Sequence, residues 1–356
     1  MLSKESIFFF SFLVFIISIL ILDLGVFNRK SHVIRFREAM MWSVLWISLA
    51  IGFFFFIKTY GELIHGIGNN NDLKHVVEKY EQPVQVDMKN SFEKNLSIYN
   101  ENLSLEYITG YLIEYALSID NVFVILLIFL SFGVQQKYYH RVLFWGILGA
   151  IIMRFLFIFI SSAIIQKFEW VLYIFGAFLI FTGIKMFLTR KDNDKIDTEN
   201  HPVVKFAAKN FPVYSRVVRQ HFFIRKNKRW LVTPLFVVLL VIEFSDVVFA
   251  VDSVPAIFSV TKDPFIVFFS NIFAILGLRS LFFLVMNMFN YFYYLKDGLS
   301  VLLTFIGLKM VIAQYPLHIH IPTNVSLYII LGILSMSILA SVLFPPKNKN
   351  EFKNTL

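Results

Sequence analysis

Nine long apolar segments dominate the chain and limit the folds that it can adopt. A helix needs about 20 apolar residues to cross the hydrocarbon core of a bilayer. The chain is 57% hydrophobic and only 16% charged, whereas about a quarter of the residues in a soluble domain are charged. We therefore predict an all-α, polytopic membrane bundle that forms a single domain over residues 1–356. The expected spans are 6–27, 40–58, 107–132, 141–165, 170–188, 233–258, 265–289, 298–314 and 325–344.

The charged residues between these segments predict an orientation. Linkers 28–39 and 189–230 and the tail after Pro346 are basic, whereas segment 60–106 has four Lys against eight Asp and Glu. Lys and Arg collect on the cytoplasmic side of membrane proteins. With nine spans the three basic segments share one side, which places the N-terminus outside and the C-terminus in the cytoplasm. We interpret the net charge of +9 as an orientation signal, and we expect a lipid bilayer and no nucleic acid as partner.

The sequence also contains an internal repeat. The stretch E-Y-A-L-S-I-D-N-V (114–122) matches D-V-V-F-A-V-D-S-V (246–254), and F-T-G-I-K-M (181–186) matches F-I-G-L-K-M (305–310). Each copy, 107–188 and 233–314, holds three spans, so the second copy enters the membrane with the opposite orientation. An inverted three-helix repeat is typical of secondary transporters, which bind substrate near the bilayer midplane. Outside the copies lie spans 6–58, an outer polar insertion 59–106, a basic cytoplasmic loop 189–232 and the last span 325–344.

Carboxylates inside the apolar segments are the strongest functional signal. A charge at the centre of a bilayer helix costs at least about 2.5–3.5 kcal/mol. Six acids face this cost, while Arg154 and Arg279 are the two deep bases. The excess negative charge requires protons or a cation. The six acids are Asp23, Glu114, Asp120, Glu243, Asp246 and Asp252.

Helical spacing places five oxygen-bearing side chains on two matching faces. At about 100° per residue, Glu243, Asp246 and Ser253 share one face, and Glu114 and Asn121 form the corresponding face of the first copy. Carboxylate, amide and hydroxyl oxygens suit a hard divalent cation such as Mg²⁺, Ca²⁺ or Mn²⁺. The chain has no Cys, which excludes thiolate sites. We expect a transported metal ion and no permanently bound cofactor.

Two further acids leave alternatives open. Asp120 and Asp252 point about 120° away from those faces in an unbroken helix. One interpretation is that the helix unwinds there, which Pro255 favours because proline frees the carbonyl four residues before it. The other is that these acids pair with Arg154 and Arg279, which we prefer. We assign supporting or gating roles to both arginines, to Pro255 and to Asp23. Glycines at 146, 149, 176 and 183 are expected at close helix contacts.

Several long motifs carry a resemblance to a known family. They are L-D-L-G-V-F-N-R (22–29), W-S-V-L-W-I-S-L-A (42–50), G-Y-L-I-E-Y-A-L-S-I-D-N-V-F-V (110–124), E-F-S-D-V-V-F-A-V-D-S-V-P-A-I (243–257) and N-I-F-A-I-L-G-L-R-S-L (271–281). With them the chain resembles the TerC/Alx family of membrane proteins. The resemblance implies a bacterial inner (plasma) membrane and an association with manganese export and with resistance to tellurium compounds and alkaline pH. It also implies that the six acids and Asn121 occupy the family's acidic positions and that Ser253 belongs to the second acidic motif. Insertion 59–106 is longer than the usual link, and we interpret it as a solvated polar segment.

These observations predict a secondary transporter that exports a divalent cation. Mn²⁺ is the leading candidate, and exchange for protons is the coupling hypothesis. One alternative is a transporter of Ca²⁺ or another divalent cation. The other is a membrane scaffold that moves no ion and assists metal loading or stress resistance. We do not expect an enzyme, because the chain lacks the G-x-G-D pattern of an intramembrane aspartyl protease.

Overall fold

Helices account for nearly all of the chain that the computed structural model describes. The described residues are 4–27, 34, 36–168, 170–188, 204–205, 212, 221–226, 229–288, 294–313 and 322–344. Eight of the helices within them are long and apolar enough to cross a membrane, which confirms the predicted polytopic helical architecture. The helices are α1 Lys4–Phe27, α2 Phe36–Tyr60, α3 Glu62–His65, α4 Asn70–Lys79, α5 Phe92–Ser131, α6 Tyr139–Lys167, α7 Val171–Leu188, α8 Pro234–Phe258, α9 Pro264–Met288, α10 Leu295–Ala313 and α11 Thr323–Leu343.

The predicted span 298–314 overlaps α10, which is not among the eight candidate spans of the described residues. Its 19 residues include Lys296, Asp297 and Lys309. The eight candidate spans are α1, α2, α5, α6, α7, α8, α9 and α11. α10 nevertheless packs closely against α7, so it belongs to the same bundle.

The bundle is built around α9. Nearly every residue in the apolar part of this helix is buried, as expected for a helix that is hydrophobic on all sides. It packs against α2, α5 and α6. Phenylalanines of α1 and α2 fill one side of it, with ring centroids 4.4 Å apart for Phe12 and Phe269 and 4.9 Å apart for Phe53 and Phe273.

Glycines bring α7 and α10 into backbone contact. A Cβ atom added at Gly307 would lie 2.6 Å from the carbonyl oxygen of Gly176. A Cβ atom at Gly183 would overlap the Thr304 side chain and the backbone of α10. Small residues allow this close approach in membrane proteins, and the predicted helix contacts at Gly176 and Gly183 are confirmed.

Helix α5 begins much earlier than the sequence predicts. It has 40 residues and is therefore about 60 Å long at about 1.5 Å per residue, twice the thickness of the hydrocarbon core. Its first turns belong to insertion 59–106. The insertion is not simply solvated, because Leu73, Val77, Tyr80 and Tyr99 are buried in the main hydrophobic core.

The all-α prediction needs one correction in the basic loop. Strands β1 Phe223–Lys226 and β2 Arg229–Val232 pair antiparallel immediately before α8. Four-residue segments of bulky side chains such as Phe223, Ile224, Trp230 and Leu231 suit a hairpin, and they lie outside the apolar segments on which the prediction rested. The membrane bundle itself is helical throughout the described residues.

Candidate functional site

Four buried side chains from three helices meet in the middle of the bundle. The Arg154 guanidinium of α6 donates through Nη1 to Glu114 Oε1 at 2.6 Å and to Ser253 Oγ at 2.8 Å. It also donates through Nη2 and Nε to the two carboxylate oxygens of Asp246, at 3.3 and 3.4 Å. We call Glu114, Arg154, Asp246 and Ser253 the Arg154 cluster.

The helix geometry explains how these residues meet. Asp246 and Ser253 are seven residues apart on α8, so two turns of helix place both on the face that packs against α5 and α6. Glu114 lies on α5 and is fully buried, and Arg154 is 1% exposed. The structure thus brings together three predicted ligand residues, but around an arginine.

The charges of the Arg154 cluster do not balance. Two carboxylates share one guanidinium, and the second oxygen of Glu114 has no hydrogen bond. A buried carboxylate oxygen without a partner is costly. Two carboxyl groups and one guanidinium are thus buried together, at a place where a cation or a proton would be stabilised.

Glu243 stands one turn before Asp246 on α8 and is half-buried. Its carboxylate fills the space that a side chain at Gly149 of α6 would need, so this glycine admits the carboxylate between the helices. The acids still do not form a closed cage. Among the side chains that the structure describes, no three His, Asp or Glu residues are grouped closely enough to hold a metal ion.

A cavity of about 250 Å³ lies beside the Arg154 cluster. Asn121, Ser253, Thr182 and Lys185 supply its polar wall, and residues of α5, α7, α8 and α10 line it. Ser253 belongs to both the cavity and the cluster. The predicted ligand Asn121 therefore faces a space large enough for a hydrated ion, next to the buried carboxylates.

Some predicted residues lie where no side chain is described. These are Asp120 on α5, Asp252 on α8 and Asp23 on α1. Both α5 and α8 run without a break past Asp120 and Asp252, and α8 continues through Pro255 to Phe258, so the unwound alternative has no support. The described contacts of Arg154 are with other acids. Pairing of Asp120 and Asp252 with an arginine stays a prediction, and Arg279 lies buried on α9.

A second polar cluster stands at the end of the bundle where α1 begins. His65 contacts Glu5 through Nδ1 at 2.9 Å and Asp263 through Nε2 at 2.7 Å, and the Tyr80 hydroxyl donates to Glu5 at 3.2 Å. We call this end of the molecule the histidine end. Burial lowers the pKa of His65, but the Asp263 and Glu5 carboxylates outweigh this effect and raise it to about 9.

Sequence reasoning missed the histidine end because its members are far apart in the chain and none lies inside an apolar segment. His65 belongs to the insertion, and its contacts connect the insertion to Glu5 at the start of α1 and to Asp263, the residue before α9. Asp263 also accepts a hydrogen bond from the Phe265 backbone N–H at 2.9 Å, as an N-cap residue does. The pattern D-P-F at the start of a span was the only local signal available.

Comparison with known proteins adds the family to this geometry. The model described as "Integral membrane protein TerC family" matches residues 99–349. The chain belongs to the TerC family. The match confirms the resemblance, and the matched region includes the acidic residues of both α5 and α8. No solved structure matches the chain at a significant level.

Relatives in the TerC family match nearly the whole chain. An "Uncharacterized membrane protein STKORF319" from Myxococcus xanthus is 44% identical, over 93% of this chain and 91% of the relative. Proteins named "Putative membrane-bound redox modulator Alx" are 40% identical in Salmonella typhi and 39% identical in Escherichia coli K12. Both comparisons cover 92% of this chain and 91% of the relative.

Proposed function

We propose that this TerC family protein is a secondary transporter that exports a divalent cation, with Mn²⁺ as the first candidate. The observation that carries the proposal is the Arg154 cluster, in which Glu114 and Asp246 are buried together around one guanidinium. Buried carboxylates in membrane helices are expensive and mark ion pathways. Their oxygen atoms suit a hard cation.

Arg154 has a role in this proposal as a built-in countercharge. It neutralises the carboxylates when no ion is present, and an arriving cation replaces it. Its bonds to Asp246, at 3.3 and 3.4 Å, are longer than its bond to Glu114 at 2.6 Å. We therefore expect Asp246 to be released first, while Glu114 keeps the guanidinium nearby. Protons that neutralise the same acids would provide the coupling.

The helix contacts support the predicted inverted repeat. In the repeat, α5 corresponds to α8, α6 to α9 and α7 to α10. If each helix is exchanged with its counterpart, the observed α5–α9 contact becomes the α8–α6 contact, which is also observed. The same exchange leaves the α5–α8, α6–α9 and α7–α10 contacts in place. This is the packing that a pseudo-twofold relation between two copies produces. In that arrangement the carboxylates would lie at the interface of the copies, where alternating access requires a binding site.

The two ends of the bundle support the predicted orientation. The histidine end gathers the start of α1, the insertion and the α8–α9 turn. The hairpin and the start of α8 meet at the other end, where Thr233 donates to the His221 carbonyl at 2.7 Å. The basic loop that ends there is expected in the cytoplasm, so we place the histidine end outside the cell.

The redox role in the names of some relatives fits this proposal only indirectly. The chain has no cysteine, so it cannot itself exchange thiols and disulfides. Export of a metal ion would still alter the supply of that metal to redox enzymes.

Metal content of manganese-loaded cells tests the proposed function. We would compare cells with the wild type, Asp246→Asn and Glu101→Gln at equal membrane abundance with cells that lack the protein. Glu101 is the matched control because it is an exposed acid of α5. We expect the wild type and Glu101→Gln to lower manganese several-fold and Asp246→Asn to leave it high. Equal lowering by the wild type and both variants would remove Asp246 from the mechanism. Lowering by none would favour calcium transport or a scaffold.

A further inference from the structure

A polar face runs along α5 from the histidine end to the Arg154 cluster. Asn102, Glu106, Gly110 and Glu114 follow one another at intervals of four residues, which places them on one side of the helix. At Gly110, the Ser270 hydroxyl of α9 approaches so closely that an added Cβ atom would lie 2.9 Å from it. The carboxylate of Glu106 therefore stands two turns from that of Glu114, on the side of α5 that packs against α9.

Glu106 is buried and incompletely satisfied. Glu106 is 1% exposed, and one of its carboxylate oxygens accepts a hydrogen bond from Asn102 Nδ2 at 2.7 Å. The other oxygen, Oε2, has no hydrogen bond of normal geometry. The Thr261 hydroxyl lies nearby, and Asp263 and Lys309 interact with the carboxylate electrostatically. A buried carboxylate with an open oxygen is the condition that binding a cation relieves.

Neighbouring groups are also without partners. The Gln82 amide and the Tyr99 hydroxyl face each other, but neither forms a hydrogen bond of normal geometry. Tyr99 precedes Glu106 by seven residues on the same face of α5 and interacts electrostatically with Glu106 and Asp263. Both Gln82 and Tyr99 are more than nine-tenths buried. An amide and a hydroxyl without hydrogen bonds thus lie in the same buried region as the Glu106 carboxylate.

We propose that Glu106 and Thr261, with Gln82 and Tyr99 beside them, form a second binding site for a divalent cation at the histidine end. This inference rests on the proposed export function and extends its pathway by one step. The site repeats the design of the Arg154 cluster, because a buried basic side chain, Lys309, stands near the carboxylate. Lys309 supplies the countercharge between ions.

Insertion 59–106 acquires a function in this arrangement. It contributes Gln82, Tyr99 and Glu106 itself, and it holds them against the α8–α9 turn through the ion pair of Glu81 with Lys262.

Binding of Mn²⁺ to the purified full-length protein tests the inference. Free Mn²⁺ would be measured by electron paramagnetic resonance during titration at pH 7. We expect two classes of site in the wild type. Glu106→Gln should weaken one class at least tenfold, whereas Asp246→Asn should weaken the other and leave the first unchanged. Glu101→Gln, on the same helix but exposed, should titrate like the wild type.

The outcomes separate this inference from the proposed function. Monodisperse Glu106→Gln protein that binds Mn²⁺ like the wild type would overturn the second site. If that variant is not monodisperse, the Mn²⁺ titration is repeated with Thr261→Val and Gln82→Leu. Unchanged binding by both variants overturns the site, and several-fold weaker binding supports it. A third outcome separates the two proposals. If Glu106→Gln loses one class of Mn²⁺ site while cells with Asp246→Asn contain as little manganese as cells with the wild type, the second site is retained and export through the Arg154 cluster is rejected.

Discussion

The ion pairs of His65 make the stability of the protein depend on pH. The imidazole is 1% exposed and contacts Glu5 and Asp263 through its two nitrogens. The Tyr80 and Phe265 rings also contact the imidazole, and Lys79 Nζ lies 4.0 Å from the Glu5 carboxylate. Two carboxylates thus face one buried imidazole, which holds its proton in the folded state.

The size of the effect follows from the pKa. The pKa of His65 is about 9 in the folded protein and about 6.5 in an unfolded chain. At about 1.4 kcal/mol per pKa unit, this difference stabilises the folded state by about 3 kcal/mol. Because the folded pKa is the higher one, the stabilisation is fully present below pH 6.5 and is lost as the pH rises through about 9.

Thermal unfolding in detergent across pH 6 to 10 measures this loss. We expect the wild type to lose stability between about pH 6.5 and 9. His65→Gln keeps hydrogen bonding but cannot carry the charge, so it should be less stable at low pH and nearly flat across this window. His75→Gln is the matched control, because His75 is exposed on α4 of the same insertion and should keep the wild-type slope.

The decisive quantity is the difference between the wild type and His65→Gln. Titration of other groups affects both proteins and cancels in this difference. Parallel curves from pH 6 to 10 would show that His65 takes up no proton on folding, and the reasoning from its two ion pairs would be wrong.

Two further predictions concern the bundle itself. Arg154→Gln should lower the free energy of unfolding by about 3–5 kcal/mol, because it leaves two buried carboxylates without a countercharge; thermal unfolding checks this, and adding Glu114→Gln should restore part of the loss. Gly307→Val should cost about 1–3 kcal/mol or separate the helices, since its side chain would meet the Gly176 carbonyl. Cross-linking between cysteines introduced on α7 and α10 should then fall, and unchanged cross-linking and stability would contradict the contact.

Much of the fold could be predicted from the sequence because hydrophobic length is a strong signal in membranes. The predicted span 141–165 corresponds to α6, Tyr139–Lys167, and span 170–188 to α7, Val171–Leu188. The start of α5 at Phe92 could not be found in this way. Its first turns are polar, and a helix outside the membrane is stabilised by packing on the insertion rather than by apolar length.

The site was only partly predictable for a related reason. Helical spacing placed Asp246 and Ser253 on one face, because that depends on local periodicity alone. The arginine that binds both could not be chosen from Arg154 and Arg279 without knowing which helices touch. Glu106 was overlooked because it lies at the edge of an apolar segment, where an acid is ordinarily solvated. Its four-residue spacing from Gly110 and Glu114 was the available signal.

The distance along α5 between Glu106 and Glu114 determines how much electrical work a cation must do to move from one carboxylate to the other. Eight residues of helix separate the two carboxylates by about 12 Å, a substantial part of the roughly 30 Å hydrocarbon core. A divalent cation that moves outward over this distance against an inside-negative potential of about 100 mV must do roughly 2 kcal/mol of work. Export would thus be electrogenic at this step unless charge moves the other way, and inward protons would offset that work.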